Sequence, residues 1–528
     1  MAIREFDYII VGAGSAGCVL AERLSADPSL RVLVIEAGGR DINPFIHMPA
    51  GISKLVGNPR INWDYYTEPE PELNGRRLYW PRGKVLGGSS SINAMCYIRG
   101  AAADYDEWAE LGARGWSYHD VLPYFIKAER QSRGVSPFHG DGGPLGVEDL
   151  RFTNPLSAVF LQATRERGWP ANDDFNAERQ EGFGFYQVTQ WQGRRSSTAV
   201  AYLRPAMKRA NLTVMTRAMT SRVVLESGRA VGVEVIHRGQ VQQLRATREV
   251  LLAAGAVGSP QILMCSGIGP VRELEQAGVP VQVANEAIGR NLQDHLDYCV
   301  LQKSTQSVTY DFSWWQEAAH GLRYAFTGSG PGVSNVAEAG GFVRSSRAPD
   351  ERADLQFHFV PAQLDDHGRH RLPGHGYTLH ACVLRPHSRG RIGLRSGSTL
   401  DPPRIFANYL SEPADLAGLI EGIRVAREIF AATAFAPFRG AELFPGSALS
   451  TDAELADTIR AKAETIYHPV GTCRMGSDSQ AAVDPELKVN GINGLRVVDA
   501  SVMPRLIGGN TNAATIMIAE KAADLLLT

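Results

Sequence analysis

The chain is most informative at first for what it lacks. It contains no apolar run of about eighteen residues, so no segment reads as a membrane-spanning helix. Its six cysteines, at 18, 96, 265, 299, 382 and 473, never form a Cys-x-x-Cys pair. That excludes a zinc-finger or disulfide framework and suits buried free thiols in a reducing compartment. Charge of one sign is also missing: 54 basic against 56 acidic residues leave a formal net charge of −2. No long-range field for nucleic acid or an anionic membrane results. Internal repeats and low-complexity tracts are absent. The first apolar strand starts within a few residues of Met1, which leaves no room for a secretion signal. The expectation is a cytoplasmic protein, with peripheral attachment to the inner membrane face left open.

What is there begins with length. At 528 residues, 44% hydrophobic and 21% charged, the chain is globular and too long for one compact core. Two joined domains are expected. The apolar run Tyr8–Val11 leads into Gly12-Ala13-Gly14-Ser15-Ala16-Gly17, then a helical pattern, then Arg31–Ile35 ending on Glu36. That is strand, glycine turn, helix and a second strand with an acid at its tip. Gly12 permits the turn, Gly14 lets backbone approach a pyrophosphate, and Gly17 allows close helix–strand packing. The helix start at Ser15 and Ala16 offers N–H donors, and Glu36, followed by Ala37, can grip a ribose hydroxyl. The pattern predicts dinucleotide binding but does not choose the dinucleotide.

Four further blocks do. They are Arg82–Asn93, with Gly87-Gly88; Gly255–Pro260 after the strand-like Glu249–Ala254; Tyr467–Gly476; and Arg496–Asn512. In this order along the whole chain, they resemble the glucose–methanol–choline family of FAD-dependent alcohol oxidoreductases. The resemblance implies an α/β fold: a Rossmann-like FAD-binding domain with an inserted antiparallel-sheet (α+β) substrate domain.

The resemblance also implies roles. His468, in Tyr-His-Pro-Val-Gly-Thr, is the expected catalytic base, because imidazole titrates near working pH. Asn512 is the expected partner on the substrate oxygen, and it doubles as a helix N-cap. Asn510 and Thr511 fall to the cofactor side, Asn510 holding the turn. Gly87, Gly88, Asn93, Ala94 and Met95 belong beside the flavin ring, Val223 beside the adenine, and Asp499 and Ala500 at a late flavin contact. Some choline-oxidising relatives attach FAD through a histidine just before that asparagine. Ile92 stands there in this chain, so non-covalent FAD is expected. Glu338 is either a cation-binding carboxylate, as in choline-acting relatives, or a structural acid. No metal site is expected.

The expected organisation is an FAD-binding part at 1–155, a connecting and substrate-side segment at 156–210, and a second FAD part at 211–296. A substrate domain follows at 297–465, and the catalytic return to the flavin at 466–528. The implied reaction is oxidation of a primary aliphatic alcohol to the aldehyde, with electrons passed to a quinone or another acceptor. Choline dehydrogenation, an oxygen-using oxidase and a cyanohydrin lyase are the alternatives.

Overall fold

In the computed structural model, which describes residues 4–528, the apolar run becomes β1 (Arg4–Val11), flanked in parallel by β2 (Val32–Glu36). All five residues of β2 are buried, as in a strand covered on both faces. β3 (Leu212–Thr216) pairs in parallel with β2. The chain then forms an antiparallel meander: β4 (Ala218–Glu226), β5 (Arg229–His237) and β6 (Gln240–Leu252). Ser227 and Gly228, at φ of 48° and 76°, make the first turn. The far end of β6 returns beside β1 in parallel.

Helix α1 (Ser15–Ser25) starts at the carboxyl end of β1, and α2 (Gly255–Cys265) just past that of β6. Two glycines make this arrangement possible. Gly12 has φ of 102°, and a Cβ there would lie 2.4 Å from the Ala253 carbonyl oxygen. A Cβ on Gly17 would lie 1.8 Å from the Gly12 oxygen, so α1 packs on β1 only because this residue has no side chain.

The second sheet is antiparallel. β7 (Leu296–Ser304), β8 (Ala339–Val343), β9 (Leu355–Val360), β10 (Gly376–Val383) and β11 (Arg439–Phe444) assemble in the order β11-β7-β10-β9-β8. The short strand Gly182–Phe185 completes the edge beside β8. β9 and β10 alternate in sequence yet are buried along their whole length. The register sets His358 opposite His380, and Cys299 of β7 opposite His380 in turn. Helix α3 (Trp314–Thr327) follows β7, and α4 (Pro413–Phe430) packs on β7 and β10.

The chain then returns to the first sheet. β12 (Leu495–Val497) pairs in parallel with the end of β6, and α5 (Asn512–Leu527) packs on α1. Arg23 of α1 donates two hydrogen bonds, of 2.7 and 2.8 Å, to Glu520 of α5, whose carboxylate is fully buried and also accepts from Tyr202. Such a bidentate pair fixes orientation as well as position. Among the described residues all six cysteines are free, and no helix is long and apolar enough to cross a membrane.

Candidate active site

A cavity of about 660 Å³ runs between the carboxyl ends of the first sheet and the face of the second. Gly12, Gly14, Ser15, Ala16, Glu36 and Ala37 line one stretch of it. Gly88, Asn93, Ala94, Met95, Asp499, Ala500, Thr511 and Asn512 also stand on its wall. Gly17 and Gly87 do not; they support it from behind. The Gly87 N–H, at φ of 87°, donates to the Ala13 carbonyl over 2.7 Å. A Cβ on Gly88 would lie 2.7 Å from Gly14 Cα, so the two glycine loops touch backbone to backbone.

The polar groups of this cradle are held firmly. Glu36 accepts from the Ala13 N–H (2.9 Å) and the Gly38 N–H (2.7 Å), and burial pushes its carboxyl up to about 7. Asp499 accepts from the Gly255 N–H (2.9 Å) and Ser259 Oγ (2.5 Å). Asn93 Oδ1 accepts from buried Arg195 (2.8 Å) and from the Met95 N–H (3.2 Å), which fixes Met95 at φ of 63°. A buried acid on β2, a helix start aimed at the cavity and glycines that a Cβ would close together suit an extended dinucleotide.

Val223 is a correction. Its N–H donates to Ser266 Oγ over 2.8 Å, and it is buried away from the cavity. Ala218, Met219 and Thr220 of the same strand form that part of the wall.

His468 also lines the cavity and is 8% exposed. Tyr467 before it takes φ of 71°, and the His468 N–H donates to Asp294 Oδ1 at 2.7 Å. Asp294 accepts from Tyr409 and Thr465 as well, and burial raises its carboxyl to about 6. The imidazole Nδ1 lies 3.0 Å from His295 Nδ1, and Nε2 lies 3.1 Å from Asn510 Nδ2. Gln356 Nε2 donates to Asn510 Oδ1 over 3.0 Å, which turns the Asn510 amide nitrogen toward the imidazole.

This chain of contacts assigns the protons. His295 Nε2 faces the Leu384 carbonyl at 3.3 Å, an acceptor only, so Nε2 carries the hydrogen and Nδ1 is left to accept. His468 therefore donates from Nδ1 and keeps its lone pair on Nε2, toward Asn510. Burial is the largest force holding His468 well below the usual imidazole range, and His295, His358 and Arg82 add to it. His295 is pushed down to about 3, again mainly by burial. Both rings are neutral at pH 7.

The partner expected at Asn512 is thus Asn510. Asn512 is the first residue of α5, with Thr511 in the cap position, and its Oδ1 accepts from Ser15 Oγ over 2.7 Å. The turn at Gly509, φ of 157°, brings Asn510 to the imidazole and leaves Asn512 with the glycine loop. Glu338 resolves as a structural acid: it is fully buried and accepts from the Asn154 N–H, Ser157, Ser334 and Tyr310. Sequence reasoning passed over Asp294 and His295, although the polar string Asn291–His295 beside an apolar strand is a signal for them. It also passed over the wall residue His380, whose Nδ1 meets Asp297 Oδ2 at 2.6 Å and Cys299 Sγ at 3.2 Å.

The chain is similar to known proteins along its whole length. Residues 6–297 and 386–519 match family models described as GMC oxidoreductase. It is 50% identical to an alcohol dehydrogenase [acceptor] of Pseudomonas putida, over 99% of this chain and 96% of that one. It is 46% identical to the mitochondrial choline dehydrogenase of Mus musculus, over 99% and 89%. Among solved structures, pyridoxine 4-oxidase from "Mesorbium loti" superposes with a TM-score of 0.90 at 33% identity, covering 98% of both chains.

Proposed function

The chain belongs to the GMC oxidoreductase family and is an FAD-dependent enzyme, and from that premise we propose that it oxidises a primary aliphatic alcohol to the aldehyde, passing the electrons to a quinone or another acceptor. The observation that carries this reading is the 3.1 Å contact between His468 Nε2 and the Asn510 amide nitrogen on one cavity wall.

In this reading α1 and the Gly12–Ala16 turn hold the pyrophosphate, Glu36 the ribose, and Ala218–Thr220 the adenine. Gly88, Asn93–Met95, Asp499, Ala500, Thr511 and Asn512 hold the ring end. When bound, FAD supplies the hydride-accepting, two-electron chemistry. His468 Nε2 takes the hydroxyl proton of the alcohol, and its neutral form at pH 7 keeps it ready to do so. Asn510 Nδ2 donates to the same oxygen and fixes its direction as negative charge develops. His295 Nδ1 accepts from His468 Nδ1–H throughout and stabilises the imidazolium once the proton has moved. Proton and hydride leave the same carbinol, which balances alcohol to aldehyde.

Choline is the second reading, favoured by the 46% identical relative. Against it, Glu338, the acid it would use for the cation, is already engaged by Asn154, Ser157, Ser334 and Tyr310. The test is anaerobic stopped-flow bleaching of the flavin with octan-1-ol and, separately, with choline, followed by admission of air. Fast bleaching by octanol alone with slow recovery in air is expected. Bleaching by choline alone hands the assignment to the second reading; fast recovery in air makes the protein an oxidase; no bleaching by either overturns alcohol oxidation.

A further inference from the structure

Helix α3 is amphipathic in the wrong sense for a soluble protein. Its 14 residues include none that is buried. Trp314, Trp315, Leu322 and Phe326 are 81%, 59%, 60% and 85% exposed. Ala318, Ala319 and Ala325 are exposed beside them, and at about 100° per residue all seven share one stripe. The polar residues turn inward: Gln316, Glu317, His320 and Tyr324 are half-buried. The helix is well anchored in this orientation. Ser313 and Gln316 cap its start, Glu317 pairs with Lys54 at 3.1 Å, Tyr324 donates to the His47 carbonyl at 3.0 Å, and Gly328 ends it at φ of 59°. Ile42 and Phe45, 80% and 39% exposed, sit on the adjoining segment that ends at His47.

We propose that α3 is a membrane-docking helix, which lies in the interface of a lipid bilayer with its Trp314–Phe326 stripe in the acyl boundary. Area favours lipid over a protein partner. A helix of this length is roughly 21 Å long and about 10 Å across, so its outer stripe offers on the order of 200 Å². A stable protein interface takes about 800 Å² from each partner, whereas a bilayer needs no matching surface. Two adjacent tryptophans suit the headgroup level, and exposed Arg323 can reach lipid phosphates from the edge of the stripe. The position supports the same occupant: Asp311, Glu317 and the neighbouring Ile52–Lys54 form part of the cavity wall that also includes His468. A bilayer on this face would deliver an apolar alcohol or a quinone straight to the cavity. That benefit rests on the proposed substrate; the docking itself does not.

The test uses flavin-loaded protein without substrate, mixed with vesicles of phosphatidylcholine alone and with phosphatidylglycerol added, and sedimented. The native protein is expected to partition onto the vesicles. Trp315→Glu/Phe326→Glu is expected to lose roughly tenfold or more of that partition, while Trp315→Phe/Phe326→Leu retains it. Both variants keep their flavin and their rate on a short water-soluble alcohol, which shows that they fold. Native protein that stays in solution with both vesicles overturns the proposal, as does undiminished partition of the double-glutamate variant. A lipid-free dimer that this variant splits, with no vesicle binding, assigns the face to a second copy of the chain instead.

Discussion

Nδ1 of His295 and Nδ1 of His468 face each other across 3.0 Å, with the two rings at 90°. Only one of the two nitrogens can carry a hydrogen in this contact, and the Leu384 carbonyl behind His295 decides that it belongs to His468. His295 is then a positioning residue. His295→Leu removes the acceptor and frees the His468 tautomer, so flavin reduction should slow by roughly 10- to 100-fold, with a displaced acid limb in its pH profile. His295→Gln supplies a carbonyl acceptor and should restore much of the rate. Equal loss in both variants would reduce the contact to packing.

The two asparagines of the last turn should separate by kind of defect. Asn510→Ala removes a donor at the proposed site of developing charge and is expected to lower the reduction rate by about 10²–10³. Asn512→Ala breaks the bond to Ser15 and should weaken FAD retention while sparing the rate of the loaded fraction. His468→Ala should cost roughly 10²–10⁴ in reduction rate. Stopped-flow reduction beside a flavin-to-protein absorbance ratio reads all three.

The pH profile follows from the direction of the His468 shift. A base must be neutral to act, and burial holds the proposed base, His468, well below the usual imidazole value of 6.5. The rate of flavin reduction should therefore be flat through neutral pH and fall only well below 6.5. An acid limb at or above that value would mean that another group takes the proton.

Gly88→Ala tests the contact between the two glycine loops. The new Cβ would lie 2.7 Å from Gly14 Cα on a residue at φ of 52°, so the loops must part. The variant should be purified with little flavin and a lowered melting temperature. Full flavin content would show that the cradle tolerates the shift.

Ile92 lines the cavity where a covalent link would need a nucleophile, and its side chain has none. Acid denaturation and filtration should release all the yellow colour. Flavin kept on the polypeptide would point to an attachment residue elsewhere.

Much of this was legible in the chain. The Gly12–Glu36 pattern is local, so strand, turn, helix and acid could be read together. What failed were choices of register. Gly509-Asn510-Thr511-Asn512 offers two amides two residues apart, and only the backbone direction after Gly509 decides which meets the imidazole. Val223 and Thr220 differ by three positions on one strand, with a register shift between Thr220 and Arg222. His295 acts through residues distant in sequence. Glu338 needed its four donors, drawn from three segments, before its role could be told.

The order of the parts along the chain has a consequence for biosynthesis. β12, His468 and Asn510, and the α5 carboxylate that clamps Arg23 all follow the second sheet along the chain and so are made after it. Until then β6 lacks its neighbour β12 and α1 lacks its cover. Residues 253–494, which carry most of the second sheet, separate the neighbouring strands β6 and β12 along the chain. A chain cut short in its final helix loses the Glu520 clamp on α1 and should emerge colourless rather than merely slow.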